Sequence, residues 1–313
     1  MAASESELID PQAVAQGEAL GLLARQVVEG FLSGEHKSPF RGFAVEFTQH
    51  REYTPGDDLR HLDWKVLARN DRFYLKQYEQ ETNFVCHLLV DGSASMAYGG
   101  EATRPGDVLT SGSKLHYACR LAASLAYLVL HQRDAVSLLL FDRDVRRYVP
   151  RTTAPGSIHT LMRLLATYMP ATGEAGATAV GAVLHQLAAT TPRRGIVVVI
   201  SDLLDDEAAV LRGIQHVRFV GHEVIVFHTL HPDELTLPFR GNVEFVGLEG
   251  GTPLLTRPSE LRRTYLAEVE GFMTRTRLAC ESNRCHYVLA DTSRPLAETL
   301  AGYLALRERT HVR

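Results

Sequence analysis

The sequence has little cysteine: four residues, Cys86, Cys119, Cys280 and Cys285, in a chain of 313. So few, so scattered, they exclude a disulfide framework and a CxxC zinc pair, and lead to the expectation of a reduced, cytoplasmic protein. Long hydrophobic runs are also missing. The longest, Leu121 to Leu130, is interrupted by Ser124 and falls short of the roughly 20 apolar residues of a membrane span. The opening MAASESELID lacks a basic-then-apolar pattern, so no secretory signal is expected. Neither sign of charge dominates: 33 basic against 37 acidic residues leave a formal −4. That balance gives no global electrostatic reason to expect nucleic acid. There is no internal repeat and no low-complexity tract. What is present is an ordinary globular composition, 45% hydrophobic and 22% charged. The length suits one large domain or one domain with an appendage.

Apolar spacing divides the chain. Leu20, Leu23, Ala24, Val27, Val28 and Phe31 recur at helical intervals and predict one amphipathic helix ending near Gly34. From Glu35 to Asn83 charge and aromatics are dense and neither period dominates, so loops, short strands and a hairpin are expected. From Phe84 onward the pattern is regular. Val-, Ile- and Leu-rich runs at 84–90, 135–141, 195–200, 224–229 and 286–290 suit strands buried on both faces. Helical stretches at 114–131, 158–167, 179–189, 207–217, 259–281 and 295–307 separate or follow them, and 145–149 reads as an edge strand paired in a hairpin. This alternation predicts an α/β fold with a doubly wound, mostly parallel, Rossmann-type sheet.

In such a sheet ligands bind at the carboxyl ends of the strands, where strand order switches. The first buried run ends in Asp91-Gly92-Ser93-Ala94-Ser95, with Gly92 read as relieving the turn. The run at 195–200 ends in Ser201-Asp202, and Gly176-Ala177-Thr178 opens a helix that can reach the same edge. Asp91, Ser93, Ser95, Thr178 and Asp202 therefore offer two carboxylates and three hydroxyls, without thiol or imidazole. That is a donor set for a hard divalent cation such as Mg²⁺, with Mn²⁺ and Ca²⁺ also accommodated. An ion with so few charged ligands stays electron-poor and can accept a carboxylate from a partner. Two plainer readings compete: a solvated turn after a strand, and a site that keeps its ligands without needing metal.

DGSAS with Thr178 and Ser201-Asp202 downstream resembles the metal-ion-dependent adhesion site of von Willebrand factor type A domains. The resemblance assigns Asp91, Ser93 and Ser95 to that site's DxSxS loop, and Thr178 and Asp202 to its threonine and later aspartate. Upstream, Arg41-Gly42-Phe43, Glu46-Phe47 and the block from Arg51 to Trp64, followed by Ala68-Arg69, resemble the defining segment of DUF58 proteins. His231-Pro232-Asp233-Glu234 and Arg262 with Tyr265 also resemble that family. Lys37 stands where arginine is expected, and the Gly- and Ser-rich loop from Tyr98 to Ser113 is long for the family and would overhang the metal edge. The resemblance implies an N-terminal helix and charged aromatic block over 1–82, a von Willebrand A-like domain over 83–292 and a final helix over 293–313. It further implies binding rather than catalysis: an adaptor or accessory factor, of a family often encoded beside MoxR-type AAA+ ATPases, that takes an Asp or Glu of a protein partner onto its metal.

Within the upstream block, Arg51, Tyr53, Gly56, Asp57, Asp58, Arg60, Asp63 and Trp64 admit two roles. One is a partner surface; the other is a structural knot in which arginines fork onto aspartates beneath the aromatics. His222 and His228 fall at opposite ends of one predicted strand, so with His231 they are not expected to share an ion. Arg143, Arg146, Arg147 and Arg151 read as protective charge on an edge strand. Two rival functions remain open. A metal-assisted hydrolase would need a general base, and neither a GxSxG elbow nor a GxxxxGK[ST] loop is present. A metal-independent structural interaction protein needs only the fold.

Overall fold

In the computed structural model, the described residues are 45–52, 66, 73–80, 85–100, 112–131, 133–170, 178–191 and 194–300. The chain divides into two compact units, one of them Val28–Asn83. Its described part is an antiparallel pair, β1 (Val45–Glu52) and β2 (Tyr74–Gln80), with a register irregularity between Phe47 and Gln49. Arg51 lies on β1 opposite Leu75. The expected helix at 20–31 and positions 53–64, hence Tyr53, Gly56, Asp57, Asp58, Arg60, Asp63 and Trp64, lie outside the described residues.

The second unit is built on a six-stranded sheet. Its strands are β3 (Val85–Asp91), β4 (Ala135–Phe141), β5 (Val145–Thr152), β6 (Ile196–Ser201), β7 (Glu223–Leu230) and β10 (His286–Asp291). They lie in the order β10-β7-β6-β3-β4-β5, parallel except for β5, which runs antiparallel to β4. Every residue of β3, β4 and β6 is buried, as continuous apolar runs demand of strands covered on both faces. β5 differs: its exposed positions are three arginines, a tyrosine and a proline, Arg146, Arg147, Tyr148, Pro150 and Arg151, and the charge and proline suit an edge.

Helices cover both faces. On one, Leu88, Val90, Leu138, Leu140 and Ile200 pack against α1 (Lys114–His131), α2 (Ser157–Ala166) and Leu296 and Leu300 of the helical residues 296–300. On the other, Leu89, Val197, Val199 and Val226 meet α3 (Val180–Thr190), α4 (Glu207–Phe219) and the end of α6 (Pro258–Ser282). Burying each such side chain is worth about 1.5–3 kcal/mol. Cys86 and Cys119 sit in the first core and Cys280 and Cys285 in the second, all four as free thiols. Between β7 and α6 come the short α5 (Pro232–Thr236) and a separate two-stranded antiparallel sheet, β8 (Val243–Phe245) with β9 (Leu254–Thr256). The sequence pattern did not announce that sheet.

This strand order fixes where a site can form. From β3 the chain builds outward through β4 and β5, then crosses to the other flank of β3 to build β6, β7 and β10. The switch therefore lies between β3 and β6, where diverging connections leave a crevice at the carboxyl ends. Asp91 closes β3 and Ser201-Asp202 close β6, at this point.

Candidate functional site

Asp91 is the floor of the crevice. It is fully buried, and four groups converge on its carboxylate. The Ser93 amide donates to Oδ1 at 2.9 Å, the Thr178 hydroxyl to Oδ2 at 3.0 Å, and the Ser201 hydroxyl to the same Oδ2. A side-chain bond from Ser93 is the fourth. Burial, and then the neighbouring Asp202 charge, raise the Asp91 carboxyl to about 7 despite these donors. Ser93 Oγ lies 3.0 Å from Ser95 Oγ, so the two loop hydroxyls face each other.

Gly92 is required here for space rather than for its dihedral. The Tyr168 ring, reaching in from beyond α2, would stand 2.1 Å from a Cβ at position 92, and its hydroxyl donates to the Gly92 carbonyl at 3.2 Å. Gly92 thus admits a ring and does not relieve a turn. Thr178 precedes α3, which starts at Val180, and its position is pinned by the Ala179 amide donating to the Asp142 carbonyl at 3.0 Å.

Asp202, also fully buried, takes a different partner. The Lys114 ammonium donates to its Oδ2 at 2.7 Å and to Glu234 Oε1 at 2.7 Å. Burial opposes both charges, yet the Lys114 amine is held above its ordinary range by Asp202 and Glu234, and the Asp202 carboxyl below its own by Lys114. Glu234 belongs to α5 and is oriented by a reciprocal cap: its Oε2 accepts from the His231 amide at 2.7 Å, while the Asp233 amide donates to His231 Nδ1 at 3.2 Å. Arg262 steadies the chain beyond that helix by donating to the Leu237 and Phe239 carbonyls at 2.9 and 2.8 Å. Leu203, next to Asp202, holds φ 57°, left-handed for a branched residue, with its amide on Ser201 Oγ at 2.9 Å. His228 lies beneath, its Nε2 3.0 Å from the Asp202 carbonyl oxygen and its Nδ1 2.8 Å from the Tyr287 hydroxyl; burial pushes its imidazole down to about 4.

The structure thus brings the five sequence-predicted positions to one edge: Asp91, Ser93, Ser95 and Thr178 by hydrogen bonds, and Asp202 close enough for its charge to act on Asp91. Sequence reasoning missed three others. Lys114 opens α1, where a helix N-terminus disfavours a cation, and that placement was the only signal for it. Glu234 stood in a family-like tetrapeptide without an assigned role. The third is Glu249, half-buried in the loop between β8 and β9, whose carboxyl burial raises above its ordinary range, with Ser95 and Asp202 among its neighbours. His222 and His228 are separated as expected. They are fully buried, however, not merely strand-end residues: His222 packs against His87, with ring centroids 5.7 Å apart. Arg146 reaches buried Asp142 at 2.7 Å. The expected overhang of the 98–113 loop falls on 101–111, outside the described residues; its ends are tied by the Lys114 amide donating to the Tyr98 carbonyl at 2.9 Å.

The donor set fits a hard divalent cation. Asp91 and Asp202 are buried carboxylates that repel one another across the crevice, and the Ser93, Ser95 and Thr178 hydroxyls set neutral oxygens beside them. A cation would relieve that repulsion. Among the described residues no three His, Cys, Asp or Glu side chains form a closed cage, so an ion here would depend on the hydroxyls. No helix among the described residues is long and apolar enough to cross a membrane.

Fold and site define a Rossmann-type α/β protein with an oxygen-lined crevice at its topological switch. The chain belongs to the DUF58 family: the model described as "Protein of unknown function DUF58" matches residues 49–272. The uncharacterized protein Rv1480 of Mycobacterium tuberculosis (strain ATCC 25618 / H37Rv) is 29% identical over 248 residues, 78% of this chain and 74% of that one. The uncharacterized protein Mb1516 of Mycobacterium bovis matches to the same extent, 29% over 248 residues. Among solved structures, an aerotolerance-related membrane protein from Bacteroides fragilis NCTC 9343 is 19% identical with TM-score 0.44, covering 71% of this chain and 99% of that chain. The conserved hypothetical protein BatB from Bacteroides thetaiotaomicron is 19% identical with TM-score 0.41, covering 72% and 99%.

Proposed function

We propose that this chain is a non-enzymatic, metal-dependent protein-binding module whose Asp91, Ser93, Ser95, Thr178 and Asp202 hold one divalent cation, Mg²⁺ by preference. The ion supplies a Lewis-acidic position for an Asp or Glu carboxylate of a protein partner. The chain's own residues orient it. Asp91, anchored by the Thr178 and Ser201 hydroxyls, sets the charged floor; Ser93 and Ser95 present oxygens at the rim; Asp202, held by Lys114, lends charge from the side. The observation that carries this reading is the convergence of hydroxyls from separate chain segments on one buried carboxylate at the sheet switch. Von Willebrand A-like adhesion sites share this donor set, and the DUF58 kinship supports an adaptor or accessory role beside a MoxR-type AAA+ ATPase.

One observation favours a second reading. Lys114 already places a cation on Asp202, so the site has a built-in positive charge, and a metal-independent interaction module would need nothing further. Affinity capture of partners with Mg²⁺, with chelator, and with Asp91→Ala separates the two. Metal dependence predicts loss of the captured partner in both of the latter conditions; equal recovery in all three leaves the metal-independent module. Turnover of a phosphoester or ester, lost in Asp202→Ala, would replace both readings with a hydrolase.

A further inference from the structure

The far flank of the sheet carries charge that the crevice does not use. Over residues 145–166, through β5 and α2, the chain has four arginines and no acidic residue, although acids outnumber bases over its whole length. Arg143, Arg147, Arg151 and Arg163 are exposed. Arg146, by contrast, is engaged with the buried Asp142 carboxylate. Among the described residues the Arg143, Arg151 and Arg163 guanidiniums meet no acceptor, and that of Arg147 reaches only the Arg146 carbonyl, at 3.0 Å. β5 is also the last strand of its sheet: it pairs with β4 on one side and, among the described residues, with nothing on the other. Its outer row of backbone groups is therefore open to a further strand. Pro150 has no N–H to offer, which leaves 145–149 as the pairing stretch. Tyr148, 58% exposed, gives that stretch a flat apolar ring. Like charges on an edge repel a second copy of the same strand, but they attract a strand of opposite sign.

We infer that the β5 edge is a docking site for an extended, acidic segment of a protein partner, which adds as a strand along 145–149 and sets its carboxylates among Arg143, Arg147 and Arg151. Nucleic acid fits this edge less well, because Tyr148 is the one aromatic on β5 and gives bases little to stack on. The surface is separate from the Asp91 crevice and stands whether or not that crevice holds an ion.

The probe is a short fluorescent peptide alternating Glu with Thr, followed by anisotropy on the full chain. It should bind saturably, more weakly as salt is added, and equally well with chelator or in Asp91→Ala. Arg147→Gln combined with Arg151→Gln should weaken it about tenfold, whereas Arg277→Gln, exposed on α6, should leave it unchanged. A peptide alternating Glu with Pro has the same charge but cannot pair as a strand, and should bind wild type about tenfold more weakly. That comparison needs no variant. No binding, equal affinity for the two peptides, or indifference to the paired arginine substitutions would overturn the inference. Binding lost with chelator or in Asp91→Ala would overturn it by moving the peptide to the crevice. Tighter binding of labelled oligothymidylate through the same arginines would overturn it in favour of a nucleic-acid surface.

Discussion

Lys114 shows how one side chain sets the charge balance of a whole site. It is fully buried, and burial alone would favour the neutral amine; two carboxylates at 2.7 Å reverse that. Lys114→Met keeps the volume and removes the charge, leaving Asp202 and Glu234 facing each other uncompensated. The expected loss is on the order of 3–5 kcal/mol by denaturant unfolding. On the metal reading, Mg²⁺ should stabilise this variant more than the wild type, since it replaces the missing charge; an equal response would separate Lys114 from the ion. His87 is another buried group with a clear cost. Burial, with His222 beside it, lowers its imidazole from 6.5 to about 4. As pH falls through 6.5 the unfolded chain takes the proton and the folded one does not. Stability is therefore complete above 6.5 and drains away towards 4, by up to about 3 kcal/mol from this residue. Unfolding free energies at pH 7 and 4.5 should differ less in His87→Leu than in wild type. A charge such as Lys114 escapes sequence reading because a lone charged residue ordinarily marks a solvated surface; only the fold reveals that it points inward.

At the scale of elements, legibility followed length and burial. β4 and α1 fall at the residues the pattern predicts, and β3, β6, β7 and β10 within a residue or so, because continuous buried runs leave no competing assignment. The three-residue strands β8 and β9 carry too short a pattern to announce themselves, and the carboxylate between them went unseen for the same reason. Gly92 was assigned to the site's turn on the usual ground of backbone freedom, whereas the contact that selects it comes from Tyr168, distant in sequence. Gly92→Ala forces that ring aside and should cost about 1–3 kcal/mol. Tyr168→Ala made with it should recover part of the loss, so a double-mutant cycle on unfolding free energy should show coupling; strictly additive losses would contradict the clash.

For the whole molecule, what the sequence told most clearly was topology. Alternating runs and helices imply a doubly wound sheet, and such a sheet places Asp91 and Asp202 at one edge before any coordinate is known. Thr178 was harder to foresee, since a long crossover carries it back and its landing point is fixed by the Ala179 amide on the Asp142 carbonyl and by its own hydroxyl on Asp91. The same layering distributes the four thiols in a useful way, two in each core, with burial raising every one of them to about 12. Native protein should therefore resist iodoacetamide, and alkylation should proceed only as fast as each layer opens. Peptide-resolved mass spectrometry of a labelling time course would then time the two halves separately. Simultaneous modification of Cys119 and Cys280 would mark the sandwich as a single cooperative body; early labelling on one side would reveal a layer that peels away first.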